Sequence, residues 1–266
     1  MRSLSRLKLL PAMAVGLLLA LPCLPGAAAQ ELEADGRIDP RADRILRQMG
    51  EYLSSAEEFS FRAEVGYDEF TDWGQEVQYG GVASISVRRP DGLHVVYDGD
   101  NRHSRVVFDG ETVVFHDLRT NLYATTEAPG EIDDAVDRMF DLYGYSVPVA
   151  DLVYSDPYET LIESADFGVV VGRNTVDGTP SYHLAFSGEI LDWQIWIEDG
   201  PQPVPRQLVI TYKEEPGAPQ YRARFTEWDF QPRFSRHHFN FVPSAGADEM
   251  EFMPVQDLPA QEVLEP

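Results

Sequence analysis

The sequence predicts a mainly β protein with a few helices and an antiparallel sheet. Three observations point there. Apolar residues alternate with polar ones over many short stretches. Short turn signals such as Asp109-Gly110 and Gly188-Glu189 separate consecutive stretches, as hairpins require. Helical spacing is confined to a few segments, near residues 40–56, 130–143 and 156–165.

The first 29 residues read as an export signal. Arg2, Arg6 and Lys8 give a basic start, an apolar stretch runs from Leu9 to Leu21, and Ala27-Ala28-Ala29 supplies small residues before cleavage at Gln30. The apolar stretch is short for a span of roughly 20 residues. No stable membrane anchor is therefore expected after cleavage. Cys23 follows Pro22 rather than a small residue, so it is assigned to the removed peptide and not to a lipid anchor. Of 266 residues, 237 remain, and the one cysteine of the chain is lost. Disulfides, thiolate metal sites and thiol catalysis are excluded. A chain of this length can bury a sizeable core without them.

Charge narrows the partners further. The signal removes three of the 21 basic residues and none of the 45 acidic ones, which leaves a net charge of −27. Such a field disfavours nucleic acid and anionic membrane surfaces. Lys8 and Lys213 are the only lysines, and arginine supplies the other cations. A GC-rich genome and a salt-adapted surface both fit that pattern.

Taken in order, residues 30–39 form a polar, flexible N-terminal segment. Asp39-Pro40 starts a helix whose apolar face carries Ala42, Ile45, Leu46, Met49, Tyr52 and Leu53. From Phe59 the period becomes two, with Phe59, Phe61, Ala63, Val65 and Tyr67 on one side. Gln75 to Arg89 is the next strand. "HVVYDGDNRHSRVVFDGETVVFHD" (His94 to Asp117) then reads as three strands and two turns. Placing the second turn at Asp109-Gly110 pairs Phe108 with Glu111. The first turn, at Asp98 to Asn101, pairs Tyr97 with Arg102. One face then collects Leu93, Val95, Tyr97, Val106, Phe108, Val113 and Phe115. A helix follows with Ile132, Val136, Met139, Phe140 and Tyr143 on one face, then a short helix in "DPYETLIESA". Strands are predicted at 166–176, 181–187, 190–198, 206–213, 220–230 and 238–242. The hairpin at Gly188-Glu189 sets Leu184 against Trp193 and Tyr182 against Ile195. The segment from 254 to 266 is an acidic tail.

Half of the six histidines lie in the opening meander, on the face opposite its apolar row. In the predicted register His103 lies across from His116, with His94 diagonal to it. Imidazoles so placed suit zinc or copper. Arg105 among them opposes a cation, and no fourth ligand is supplied by spacing, so a solvent-facing polar surface is the other reading. His183 near Asp192 resembles half of a hydrolytic dyad, yet no nucleophile accompanies it. His237 and His238 in "RFSRHHF" read as a polar strand edge. No phosphate loop, HExxH helix or dinucleotide fingerprint is present. No catalytic residue and no cofactor is expected.

Several blocks stand in a familiar order: "RRPDGLHVVYDGD", "VVFDGETVVFHDLRTNLYA", "APGEIDDAVDRMFDLYGYSVPVADLVYSDP", "VVVGRNTVDGTPSYHLAF", "DWQIWIEDGPQPVPRQLVITYK" and "PQYRARFTEWDF". Together they resemble a family of predicted bacterial periplasmic proteins of unknown function, grouped with the LolA/LolB-like lipoprotein carriers. The resemblance covers roughly residues 40–252. It implies a strongly curved antiparallel sheet, a half-open barrel closed by helices, in a single LolA-like domain over 40–253. It also implies a cavity that accepts acyl chains. In LolA a buried arginine near the cavity holds the lid closed, and the resemblance assigns no residue here to that role. Candidates for the wall are Phe61, Val65, Val95, Tyr97, Val106, Phe108, Phe115, Met139, Phe140, Leu184, Trp193 and Ile195. The expected function is that of a periplasmic binding protein for a lipid, a lipoprotein acyl chain or a similar apolar ligand. An envelope protein-interaction module is the alternative, and a metal-dependent enzyme is third.

Overall fold

The computed structural model describes residues 38–71, 73–143 and 148–252. The expected signal peptide, its cleavage site, the flexible segment before residue 38 and the acidic tail lie outside the described residues. The chain enters the described part through helix α1 (Pro40–Ser54). Asp39 caps α1, its carboxylate accepting a hydrogen bond from the Arg41 amide at 2.7 Å, and Pro40 fits the first turn. Ala42, Ile45, Leu46, Met49 and Leu53 are buried at helical spacing, as predicted.

Six strands follow: β1 (Glu58–Phe70), β2 (Glu76–Arg88), β3 (Gly92–Gly99), β4 (His103–Phe108), β5 (Thr112–Asp117) and β6 (Leu122–Glu127). Helix α2 (Ile132–Tyr143), a 3-10 turn over Pro148–Leu152 and helix α3 (Pro157–Ile162) come next. Then come β7 (Phe167–Val176), β8 (Thr179–Ser187), β9 (Leu191–Glu198), β10 (Pro205–Tyr212), β11 (Gln220–Asp229) and the two-residue β12 (Asp248–Glu249). All twelve strands join one open, curved sheet in the order β12-β6-β5-β4-β3-β2-β1-β11-β10-β9-β8-β7. The pairs are antiparallel except β12 with β6. Two meanders therefore meet where β1 pairs with β11, and the helical segment joins their outer edges.

One apolar face runs across both meanders. Ile85 pairs with Val95 and Val95 with Val106. Across the seam, Val65 of β1 pairs with Ala223, Ala223 with Leu208, Leu208 with Ile195, and Ile195 with Leu184. Phe108 and Val113 lie on the same face as Leu184, Trp193 and Ile195, as the alternation predicts.

The registers differ from the sequence reading, always in the same direction. Phe108 faces Val113 and Val106 faces Phe115, because the loop is Gly110-Glu111. Gly110 takes a φ of 93°, which suits a glycine at the first loop position. Asp109 does not form the loop; its carboxylate accepts from the Thr112 amide at 2.9 Å. Likewise Tyr97 faces Ser104, around an Asp100-Asn101 loop closed by the Gly99 amide on the Arg102 carbonyl. Leu184 faces Ile195 and Tyr182 faces Ile197, around Glu189-Ile190. Each slip is two residues, which preserves the face of every side chain.

The strand predicted at 238–242 is absent. His238 and Asn240 donate their amides to Ser235 and His237 in successive tight turns. Strand β6 and the 3-10 turn are not among the predicted elements. The segment from Phe234 to Met250 crosses the sheet face opposite the helices and ends as β12 beside β6. Phe239 is buried there, with the Arg88 guanidinium 4.6 Å from its ring centroid. Phe241 lies 5.5 Å from the His116 ring and 5.1 Å from Tyr123.

Candidate functional site: an apolar cavity

A cavity of about 280 Å³ lies between the first meander and the helical segment. Its floor consists of Ala83 and Ile85 from β2, Leu93 and Val95 from β3, Val106 and Phe108 from β4, and Val113 from β5. Period-two alternation puts these side chains on one face. The other wall comes from α2, which contributes Ala135, Val136, Met139 and Phe140, and from Val149, Ala150, Asp151, Val153 and Tyr154. Helical spacing turns Ile132, Ala135 and Met139 inward, and all three are buried. Phe140, 57% exposed, sits at the edge of the cavity.

Polar contacts at its end hold this wall to the sheet. The Arg89 guanidinium donates to the carbonyls of Val153 and Tyr154, at 2.9 and 2.8 Å. The Ile132 amide donates to the Pro90 carbonyl at 2.8 Å, which fixes the start of α2. Asp133 accepts from the Ser155 amide and hydroxyl, and Asp137 accepts from the Tyr154 hydroxyl at 2.7 Å. Desolvation lowers the Arg89 pKa, opposed by the nearby Asp133. One charged side chain lines the cavity itself. Burial pushes the Asp151 carboxyl up to about 7.

Of the wall residues proposed from sequence, Val95, Val106, Phe108, Met139 and Phe140 line this cavity. Phe61, Val65, Tyr97, Leu184, Trp193 and Ile195 are buried in the filled part of the core instead. There α1 packs on β7 and β9 of the second meander, while Phe61 on β1 meets the rings of Phe225 and Trp228. Phe115 shares the floor's face but lies beyond the cavity, paired with Val106 and Ala124. Sequence reasoning missed Arg89 and Asp151. The second carries a signal in retrospect: it is the lone charge in the apolar run "VPVADLV".

The histidine face is partly covered rather than a solvated surface, and the predicted pairing of His103 with His116 is not formed. His116 is 2% exposed beneath Phe241, and its Nε2 lies 3.0 Å from Asn121 Oδ1. His94 meets His238, not His103, with Nδ1 and Nε2 at 3.4 Å. His103 pairs with Asp98 across β3 and β4. Among the described residues no group of three or more His, Cys, Asp and Glu could hold a metal. The dyad suggested for His183 and Asp192 is not formed. His183 bonds Gln194 at 2.9 Å and stacks on Trp196, while Asp192 contacts Ser187 and Lys213.

The family described as "predicted periplasmic protein (DUF2092)" matches residues 42–253. The chain belongs to this DUF2092 family. No curated protein matches it. Solved structures similar to this DUF2092 chain include an uncharacterised conserved protein from Thermus thermophilus. It is 11% identical, with a TM-score of 0.46, over 79% of this chain and 99% of that one. Another is the lipoprotein LppX from Mycobacterium tuberculosis, 12% identical with a TM-score of 0.42, over 73% of this chain and 98% of that one. A third is the LolA superfamily protein NE2245 from Nitrosomonas europaea, 9% identical with a TM-score of 0.39, over 75% and 97%. Among the described residues no helix is long and apolar enough to cross a membrane.

Proposed function

We propose that the chain is a periplasmic binding protein, exported through a cleaved signal peptide. Its cavity takes an acyl chain or a similar apolar segment, and its role is that of a carrier or sensor rather than an enzyme. In this reading residues 40–253 form a single domain, a half-open barrel over which α2 and the 3-10 turn act as the closing element. One observation carries it: fourteen of the sixteen residues around the cavity are apolar. The volume, near the lower end of the roughly 300–1,000 Å³ usual for ligand pockets, suits one chain better than a bulky lipid. Burial contributes roughly 25 cal/mol per Å² of apolar surface, so one chain supplies several kcal/mol. Met139 adds an adaptable wall for chains of different shape.

The test is titration with a neutral fluorescent probe such as N-phenyl-1-naphthylamine. Wild type should bind it, and Met139→Trp, which fills the space from α2 with an apolar group, should keep its fold and lose the probe. Equal binding by both proteins, or none by wild type, would sink the carrier reading. The envelope interaction module would then take its place.

A further inference from the structure

We infer that Asp151 makes the cavity selective for amphiphiles with a cationic, hydrogen-bond-donating end, such as a protonated amine, over anionic amphiphiles of equal chain length. This rests on the apolar-ligand reading above and adds the polar end of the ligand.

The argument starts from what surrounds the carboxylate. Asp151 is the only charged residue among the sixteen that line the cavity. Among the described residues no donor to its carboxylate is found. Tyr154, three residues on, donates its hydroxyl to Asp137, and Arg89 directs both terminal nitrogens to the carbonyls of Val153 and Tyr154. Among the described residues, the phenols of Tyr154, Tyr212 and Tyr221 are close enough to feel Asp151. None supplies a positive charge. The negative charge of Asp151 contributes to raising all three.

A carboxylate among apolar side chains without a counter-charge is costly, and it responds by holding its proton to a higher pH. Desolvation is the cause of the upward shift here. A ligand that brings a cation removes that penalty and adds a charge-assisted hydrogen bond. A carboxylate or phosphate end does the reverse, placing like charges together in a site of low polarity. The net charge of −24 on the whole chain biases approach in the same direction.

The experiment is displacement of bound N-phenyl-1-naphthylamine by decylamine, decanol and decanoate at pH 8, below their micellar concentrations. Wild type should rank decylamine first, with about a tenfold or greater advantage over decanol, and decanoate last. At pH 5 the amine's advantage should shrink, since Asp151 is then protonated. In Asp151→Asn the ratio of decylamine to decanol displacement at pH 8 should fall to about one, whatever the variant's affinity for decanol itself, whereas Asp151→Glu should keep the amine preference. If wild type shows no amine preference, or Asp151→Asn keeps it, the selectivity is refuted and the apolar-ligand reading survives. If neither the probe nor decanol binds wild type, both readings fall together.

Discussion

His94 and His238, 144 residues apart in sequence, bring ring nitrogens to 3.4 Å, and the rings meet edge to face at 4.8 Å. His94 sits on β3, His238 in the segment that crosses behind the sheet. Burial, His238 and Arg105 together push the His94 pKa down to about 4, and burial lowers that of His238. Both folded values lie below the unfolded value, so the unfolded chain binds protons first as pH falls. This contribution to stability is fully present above about 6.5 and is lost progressively toward pH 4. Proteolytic cleavage within residues 231–250 should rise over that window. His94→Gln should flatten the dependence, and a flat profile in wild type would refute the coupling.

Asp151 gives the opposite sign. Its folded pKa, about 7, lies above the ordinary carboxylate value, so the folded state holds the proton between about pH 4 and 7. Its ionisation therefore destabilises the fold as pH rises through that range. Asp151→Asn should raise the urea midpoint at pH 8 and leave it nearly unchanged at pH 4. A rise of equal size at both values would point to packing instead.

Leu184 and Leu93 are the same residue in two environments. Leu184 is fully buried in the filled core, whereas Leu93 borders the cavity. Leu184→Ala should cost about 4–5 kcal/mol, the upper part of the usual range, and Leu93→Ala about 2–3 kcal/mol, because part of its contact surface already faces open space. Denaturant unfolding of both variants decides it, and equal losses would contradict the contrast.

Gly50 lies inside α1, where alanine ordinarily stabilises by about 1 kcal/mol. Here a β-carbon would come within 2.6 Å of the Tyr158 Cβ and 2.9 Å of its backbone nitrogen, at the crossing of α1 and α3. Tyr158 cannot yield freely, since Arg47 donates to its hydroxyl at 2.6 Å and Asp43 accepts from it. Gly50→Ala should therefore destabilise, by about 1–3 kcal/mol from overpacking. A higher melting temperature would show that α3 moves aside.

What the sequence reveals about this sheet is parity. Val106, Phe108 and Val113 point to the predicted face although their partners are two residues from the expected ones. Side-chain alternation determines the face, while register depends on which residue begins the loop. Asp109 shows why that choice misleads: an Asp-Gly pair signals a turn, but the carboxylate here caps the loop from outside it. The floor of the cavity was readable for the same reason; the face of α2 was readable in part, since Ile132 and Met139 turn inward as spaced while Phe140 is largely exposed and Ala135 is buried instead. The back of the sheet was not readable. Phe239 and Phe241 lie in a segment without periodicity, so nothing local announces that the first packs on Arg88 and the second on His116. Arg89 acts on carbonyls distant in sequence, a relation no spacing encodes.

Ala63 pairs with Phe225 at the seam between the two meanders. Each meander joins neighbours in the chain and can assemble early. The seam must close a loop containing nearly everything else, and the entropic cost of that closure precedes any gain from the contacts. The two halves are thus expected to form before they meet, with β1 and β11 exposed as bare edges in the interval. Such edges pair readily with other chains. The most hazardous moment for this protein is therefore the delay between building its two half-sheets and joining them, when concentration and temperature decide whether β1 finds β11 or a stranger.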